Sequence, residues 1–216
     1  RDLNLLAENE LIQRFHGGAS ANSSVDNLPY KDRQIRNLAE KKAIARELSL
    51  NIPDHSSLFI NIGTTTETIA RALMNHSGLL VVTNNLNVAS MMSKKEDFRV
   101  IVTSGEVRAR DGGIVGEATV SFVRQFRMDF GIIGISAVDS DGALLDYDYR
   151  EVKVAQAIIE NSRNVYLAAD HSKFGRHAMV KLGSITQAGT LFTDRSPDKE
   201  ITELLESKGV TLHICK

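Results

Sequence analysis

Residues 59–73 read FINIGTTTETIARAL, and the interpretation of the whole sequence starts from this stretch. An apolar run ends at Gly63, three threonines follow, and the apolar spacing then becomes helical, so we expect a buried strand to turn into a helix here. Thr64 and Glu67 have the spacing of a capping box, and capped helix starts are common. The same features suit an anion site, because free backbone amides, hydroxyls and a glycine can surround a phosphate. Taken alone, the stretch favours the cap.

The composition is that of an ordinary globular protein, with 42% hydrophobic and 25% charged residues. The 216 residues are enough for one large α/β domain with a small appendage, or for two small domains. The net charge of −1 counts against an intact DNA-binding protein but not against a regulatory domain. No apolar run has the length of a membrane span, and the single cysteine, Cys215, fits a reducing cytoplasm, where we expect the chain to act.

The first part of the chain differs from the remainder. Residues 1–10 place Leu3, Leu6 and Ala7 on one helical face, which predicts the tail of a longer helix and a further segment before Arg1. Residues 10–19 predict a short strand that ends in two glycines. Residues 20–30 are rich in Ser and Asn and predict a linker. Residues 31–47 predict a charged helix, which is either a solvated face or a surface that helps to hold DNA or a partner.

From residue 57 onward, apolar runs alternate with helical segments. This alternation predicts an α/β fold with a mostly parallel sheet and helices on both faces. The predicted strands are 57–62, 79–83, 98–103, 129–135, 163–169, 189–193 and 210–215. The predicted helices in this part are 66–75, 85–92, 117–126, 149–161 and 197–208. Ligands of such sheets bind outside the carboxyl ends of the strands, so we expect a site at the turns that follow the strands.

Small, hydroxylated, amide and basic residues cluster at these turns, whereas the strands are apolar. Turn conformation alone can enrich such residues at any one turn, but several turns share them. This set of residue types is suited to binding an anionic polyol, since hydroxyls and backbone amides bind phosphate and Lys173 adds positive charge. Asn84 and Asp170 are suited to contacting hydroxyl groups. The candidate effector-binding residues are Gly63, Thr64, Thr65, Thr66, Thr83, Asn84, Arg108, Ser136, Glu151, Asp170 and Lys173.

Glu151 lies on the apolar side of the helix predicted to begin near Tyr149, four residues before Ala155 and seven before Ile158. A carboxylate on a buried face is either held by its neighbours or takes part in the chemistry of a site. Its three-residue spacing from Asp148 also fits a capping box. The two interpretations stay open.

Several kinds of site lack their motifs in this sequence. The phosphate loop G-x-x-x-x-G-K-[ST] and the G-x-G fingerprint of nucleotide-binding folds do not occur. The six histidines lack metal-ligand spacing, and no motif places an activated serine or cysteine nucleophile. We therefore expect no metal and no cofactor.

Ordered motifs along the chain resemble the DeoR family of bacterial repressors. The opening RDLNLLAENELIQRFHGGA is similar to the end of that family's winged helix-turn-helix, and GTTT, TNN, SGEVR, GISAVDSDG and ADHSKFG follow in the order of its effector domain. The resemblance covers essentially the whole chain. It implies a remnant of the DNA-binding domain in residues 1–19, a linker in 20–30 and an effector-binding domain for a sugar phosphate in 31–216.

The resemblance implies a cytoplasmic transcription factor, not an enzyme, that senses a phosphorylated sugar or polyol. Glycerol 3-phosphate is the expected effector, and operator DNA is the expected partner of the N-terminal domain. We also expect a homo-oligomer, either a dimer or a tetramer, and no membrane partner. The family's sensing fold is similar to ribose 5-phosphate isomerases and coenzyme A transferases, so an isomerase-like enzyme is the main alternative. An interaction module without a ligand is a third hypothesis.

Two features favour a sensor over an isomerase. The similar isomerases keep a lysine shortly before a helix-starting glutamate such as Glu151, whereas residues 129–150 contain no lysine, so an enediolate would lack an electrophilic partner. An isomerase also has no use for part of a wing. One departure from the family is Asn61, where many relatives have aspartate, so that position either contacts the ligand or only forms the turn. Together these features predict that GTTT is both a helix cap and a phosphate cradle.

Overall fold

A computed structural model of the chain describes the backbone of residues 12–15 and 18–21 and all of residues 25–216. Strands β1 (Ile12–Phe15) and β2 (Gly18–Ala21) pair as an antiparallel hairpin. The second strand of this hairpin includes two residues that the sequence assigned to the linker. The helix tail predicted for residues 1–10 lies outside the described residues.

The remaining elements alternate much as the sequence predicts. The helices are α1 (Tyr30–Ile35), α2 (Leu38–Leu50), α3 (Thr64–Leu73), α4 (Leu86–Met92), α5 (Glu117–Val123), α6 (Tyr149–Glu160) and α7 (Lys199–Ser207). The strands of the central sheet are β3 (Ser57–Ile60), β4 (Leu80–Thr83), β5 (Arg99–Val102), β8 (Met128–Gly134), β11 (Ser162–Ala168), β13 (Thr190–Thr193) and β14 (Thr211–Ile214). Each strand and helix predicted after residue 56 is present, with ends that differ by a few residues. The predicted α/β class is confirmed.

All neighbouring strands of the central sheet are parallel, in the order β14-β13-β11-β8-β3-β4-β5. The chain leaves β3 towards β4 and β5, then returns to the other side of β3 to form β8 and continues outward. The direction of winding therefore reverses between β3 and β8. Open α/β sheets bind ligands at such a topological switch point. The glycine and threonines quoted at the outset follow β3 and lie at this point.

Helices cover both faces of the sheet because successive strand residues point to opposite sides. Phe59 and Ile133 pack in the core formed with α5, α6 and α7. Ile60 and Ile132, their neighbours along the chain, pack in the core formed with α2, α3 and α4. Two-sided burial is the reason that these strands read as continuous apolar runs. Within the described part of the chain, no helix combines the length and apolar character needed to cross a bilayer.

Two parts of the fold differ from the sequence analysis. The helix predicted over residues 31–47 is broken at Asn37, whose φ of 50° is left-handed and whose side-chain amide donates a hydrogen bond to Asp170 Oδ1 at 2.8 Å. Short antiparallel strands also occur that the sequence pattern did not predict. They are β6 (Glu106–Arg108) with β7 (Gly113–Val115), and β9 (Ala137–Val138), β10 (Ala143–Asp146) and β12 (Val180–Ser184).

We predict that Ile132→Ala lowers the free energy of unfolding by about 2 to 5 kcal/mol, because it leaves a cavity in the middle of the sheet. Ile132 has no exposed surface. Ile35→Ala is the matched control, since Ile35 is 73% exposed and its truncation is expected to change stability by no more than about 0.5 kcal/mol. Urea unfolding measures both variants, and equal losses in the two would contradict the assigned core.

Candidate functional site

The turn between β3 and α3 begins at Gly63, whose φ of 148° is a conformation that favours glycine. Gly63 is the N-cap residue and no side chain caps the helix, so the capping box predicted between Thr64 and Glu67 is wrong. The glycine takes the cap position, and Thr64 lies inside the helix. The Glu67 carboxylate accepts a hydrogen bond from the Tyr30 hydroxyl at 2.8 Å instead. The Thr66 hydroxyl fixes the turn by sharing its proton between the Gly63 carbonyl oxygen at 2.8 Å and the Asn61 carbonyl oxygen at 2.7 Å.

Several hydrogen-bond donors of this turn have no acceptor among the described residues. They are the backbone amides of Thr64, Thr65 and Thr66. The next amide, that of Glu67, donates to the Gly63 carbonyl oxygen at 3.0 Å. The Thr65 hydroxyl likewise has no partner within residues 25–216, and Thr65 lines the cavity described below. Buried donors are normally satisfied, and donors at a helix N-terminus favour an anion.

Two lysines lie beside the turn, and Lys41 is buried whereas Lys173 is half-buried. Lys41 donates from Nζ to Thr64 Oγ1 at 3.1 Å and to the Arg33 carbonyl oxygen. Lys173 lines the same cavity as the turn. Burial lowers the pKa of Lys41, and it lowers the pKa of Lys173 to about 8 against the opposing effect of Asp170. An anion between the lysines would therefore relieve unfavourable burial of positive charge.

A small cavity of about 30 Å³ lies at the switch point, between the residues that follow β3 and those that follow β8. The turn, Lys173 and Ser136 contribute donors to its wall, and Asp146 and Glu151 contribute carboxyl groups. The cavity thus combines positive charge with hydroxyl-binding groups. The predicted site residues that it brings together are Gly63, Thr64, Thr65, Ser136, Glu151 and Lys173.

Both carboxyl groups of the cavity have raised pKa values. Burial raises the pKa of Asp146, which accepts hydrogen bonds from the Ser136 hydroxyl at 3.0 Å and the Tyr147 amide at 2.7 Å. Burial and the neighbouring Asp146 raise the pKa of Glu151 to about 7, although the Arg108 guanidinium, 2.8 Å away, opposes the shift. A carboxyl group that changes protonation near neutrality, as Glu151 does, can either donate to or accept from a ligand hydroxyl.

Arg108 lies behind Glu151 and does not line the cavity. Its guanidinium contacts Asp111 at 2.8 Å, Asp148 at 3.1 Å and Glu151 at 2.8 Å. Burial alone would lower the pKa of Arg108, but Glu151 and Asp111 raise it. Asp148 caps α6 by accepting from the Arg150 amide, whereas Glu151 pairs with Arg108, so the reciprocal half of the predicted capping box is absent. Arg108 orients Glu151, and its direct contact with an effector stays a prediction.

Thr83 is the last residue of β4 and Asn84 follows it, and both lie outside the cavity lining. The Thr83 hydroxyl donates to the Ile60 carbonyl oxygen at 2.7 Å, and the Asn84 amide donates to the Ile114 carbonyl oxygen at 3.1 Å. These bonds join the end of β4 to its neighbours. The predicted effector contacts of both residues remain predictions.

Asp170 lines a second cavity of about 10 Å³, which shares Arg33 and Lys173 with the first. Its carboxylate accepts from the Ser172 hydroxyl at 2.6 Å and from the Asn37 amide at 2.8 Å. Burial would raise the pKa of Asp170, but Lys173 and these hydrogen bonds hold it below its usual value. Asp170 therefore keeps a negative charge next to Lys173.

The basic residues that α1 and α2 bring to the site were not predicted from the sequence. Residues 31–47 were expected to form a solvated or partner-binding helix, whereas Lys41 is 3% exposed and Arg33 lines both cavities. A signal for Lys41 was present, because it stands in the apolar stripe of α2 between Leu38 and Ala45. Arg33 carried no such signal, since the break between α1 and α2 determines where it lies.

A lysine from another part of the chain lies near Glu151. Residues 129–150 contain no lysine, but Lys173, from the turn after β11, lines the same cavity as Glu151. A basic group therefore does lie near this carboxylate. The distinction between a sensor and an isomerase has to come from other observations.

Glu40, His171 and Asp194 form a group of possible metal ligands, with ligand atoms within 4.8 Å of one another. Sequence spacing did not predict the group because its members come from separate elements. His171 donates its backbone amide to Asp194 Oδ1 at 2.7 Å, and its Nδ1 lies 2.7 Å from Asp194 Oδ2. The imidazole and the carboxylate thus satisfy each other without a metal.

Comparisons with known proteins identify the family. The DeoR C-terminal sensor domain matches residues 36–195. The chain is 55% identical over 215 residues to the glycerol-3-phosphate regulon repressor of Escherichia coli K12, covering 100% of this chain and 85% of that protein. It is 52% identical to the protein of the same name from Haemophilus influenzae, covering 96% and 81%. An E. coli HTH-type transcriptional repressor, CsqR, is 40% identical, covering 98% and 81%.

Solved structures resemble the chain in fold alone. The eIF2B delta subunit of Chaetomium thermophilum aligns with a TM-score of 0.50 and 14% identity, covering 68% of this chain and 57% of that one. A ribose 5-phosphate isomerase from Methanocaldococcus jannaschii aligns with a TM-score of 0.47 and 13% identity, covering 64% and 55%. The close relatives by sequence are repressors rather than enzymes. The chain belongs to the DeoR family of transcriptional repressors and contains its C-terminal sensor domain.

Proposed function

We propose that the sensor domain binds glycerol 3-phosphate, with its phosphate on the turn Gly63–Thr66 and its hydroxyls in the cavity at the switch point. The observation that carries the proposal is the set of amides at this turn that have no acceptor among the described residues, with Lys41 and Lys173 beside them. A phosphate supplies the acceptors and the negative charge that this arrangement lacks. The names of the close relatives support glycerol 3-phosphate as the effector.

The polyol part of the effector has suitable partners in the same cavity. Ser136, Asp146 and Glu151 can exchange hydrogen bonds with hydroxyl groups. We propose that effector occupancy controls DNA binding by the winged helix-turn-helix to which residues 1–19 belong. Residues 20–30 are the linker in this scheme, and residues 31–216 are the effector-binding domain. Such a repressor works in the cytoplasm on operator DNA and is expected to be a homo-oligomer.

Isothermal titration calorimetry with a panel of ligands tests this proposal. Glycerol 3-phosphate is expected to bind more tightly than inorganic phosphate, which lacks the polyol, and more tightly than glycerol, which lacks the anion. The affinities of larger sugar phosphates show how strongly the site discriminates between polyols of different size. Equal affinity for glycerol and glycerol 3-phosphate would contradict a phosphate cradle.

Thr65→Val is expected to weaken glycerol 3-phosphate binding by about ten- to a hundredfold, since a hydrogen bond to a charged group is worth about 1.5 to 3 kcal/mol. Its stability should not change, because the Thr65 hydroxyl has no partner among the described residues. Thr66→Val is the matched control. The Thr66 hydroxyl donates to the Asn61 carbonyl oxygen at 2.7 Å, so its loss should lower stability by about 1 to 3 kcal/mol. Calorimetry measures affinity and urea unfolding measures stability. Lost stability but unchanged affinity in Thr65→Val, with lost affinity but unchanged stability in Thr66→Val, would contradict these roles.

Effector affinity is expected to fall as pH rises above about 8, the pKa to which burial lowers Lys173. Affinity falls because the neutral Lys173 amine that forms above this pH cannot attract phosphate. The protein must then take up a proton on Lys173 when the effector binds, which costs free energy. Calorimetry between pH 7 and 9.5 measures the slope. Lys173→Met should weaken binding at pH 7 and flatten the slope, whereas Lys181→Met, at an exposed lysine, should do neither. A flat profile in the unmodified protein would refute this account of Lys173.

A further inference from the structure

Residues 25–37, which we call the strap, cross the mouth of the candidate site. The Asn27 amide donates to the Ser136 hydroxyl at 3.2 Å, which ties one end of the strap to the residues after β8. The Asn37 amide donates to Asp170 Oδ1 at 2.8 Å and ties the other end to the turn after β11. The strap therefore spans the switch point from one side of the site to the other.

A main-chain carbonyl oxygen of the strap already accepts hydrogen bonds from two of the donors beside the turn. The Arg33 carbonyl oxygen accepts a hydrogen bond from Lys41 Nζ and another from the Thr64 hydroxyl, the latter at 3.2 Å. Arg33 lies in the last turn of α1, where helix carbonyl oxygens lack an intrahelical partner. This carbonyl oxygen is thus an internal acceptor at the place where a phosphate oxygen would bind.

The strap also leaves too little room for an effector. The cavity behind it measures about 30 Å³ and the adjoining one about 10 Å³, which is space for about two or three water molecules. A phosphate with a three-carbon polyol is several times larger, so part of the wall has to move. The strap is the part held least by the core, because α1 has no buried residue and Ile35 is 73% exposed.

We propose that the effector competes with the strap: the phosphate replaces the Arg33 carbonyl oxygen on Lys41 and Thr64, and the strap is displaced. This inference rests on the proposed function. The chain reaches the hairpin of β1 and β2 through the strap, so displacement of the strap changes the connection to the N-terminal part. Effector occupancy is thereby converted into a movement outside the sensor domain.

Side-chain contacts hold the strap in the closed position. The Tyr30 hydroxyl donates to Glu67 Oε2 at 2.8 Å, and Arg33 lies 3.4 Å from the Asp111 carboxylate. The Tyr30 contact lies outside both cavities. It can therefore be removed without removing a group that the effector is proposed to touch.

Hydrogen–deuterium exchange on this chain, with and without saturating glycerol 3-phosphate, separates the two proposals. The strap proposal predicts slower exchange for the amides of Thr64–Thr66 and faster exchange for residues 25–37. If Thr64–Thr66 slow while the strap slows or stays unchanged, the strap is not displaced and this inference is overturned. If Thr64–Thr66 show no change and calorimetry detects no binding, the proposed function fails, and this inference fails with it.

Tyr30→Phe loosens the strap without touching the cavity. We expect it to tighten glycerol 3-phosphate binding about tenfold, because apparent affinity rises with the fraction of molecules that are already open. The matched control is Tyr166→Phe, which removes a hydroxyl that donates to the Asn51 carbonyl oxygen at 3.3 Å, away from the strap, and should leave affinity unchanged. Unchanged or weaker binding by Tyr30→Phe would contradict the competition.

Discussion

Buried donors and buried positive charge converge on the turn after β3, and the functional account of the structure depends on this convergence. The amides of Thr64–Thr66 lack acceptors among the described residues, and Lys41 and Lys173 lie beside them. Leaving a buried donor or charge without a partner costs free energy. The lowered pKa values of both lysines express that cost. A phosphate would remove it by supplying acceptors and negative charge together.

The winding of the sheet explains why so many polar groups meet at this one point. Because the chain reverses direction between β3 and β8, the turns that follow these two strands lie side by side. One turn brings Gly63 and the other brings Ser136, while α6 adds Glu151. The strap, which belongs to neither the sheet nor its helix layers, adds Arg33. A site built from both the rigid sheet and a weakly anchored strap is suited to a sensor, since a ligand can change one without disturbing the other.

The sequence predicts the sheet well because burial on both faces leaves continuous apolar runs, and it predicts the site where polar residues directly follow a strand. Thr64 and Ser136, which come shortly after β3 and β8, are of that kind. Arg33 is not, since its position depends on the break between α1 and α2, where left-handed Asn37 contacts Asp170, a residue distant in sequence. Glu67 illustrates the converse error: its spacing fits a helix cap, but a glycine takes the cap position and the Tyr30 hydroxyl binds the carboxylate. Local spacing describes what a residue can do, and tertiary contacts decide among those options.

A crystal structure of the chain with glycerol 3-phosphate tests the central claim most directly. The account predicts phosphate oxygens at hydrogen-bonding distance, about 2.7 to 3.2 Å, from the amides of Thr64–Thr66, with Lys41 or Lys173 in contact with the same group. The polyol hydroxyls are expected to face Ser136 and Glu151. A ligand bound elsewhere, with the Gly63–Thr66 turn unchanged and its amides still without an acceptor, would contradict the account.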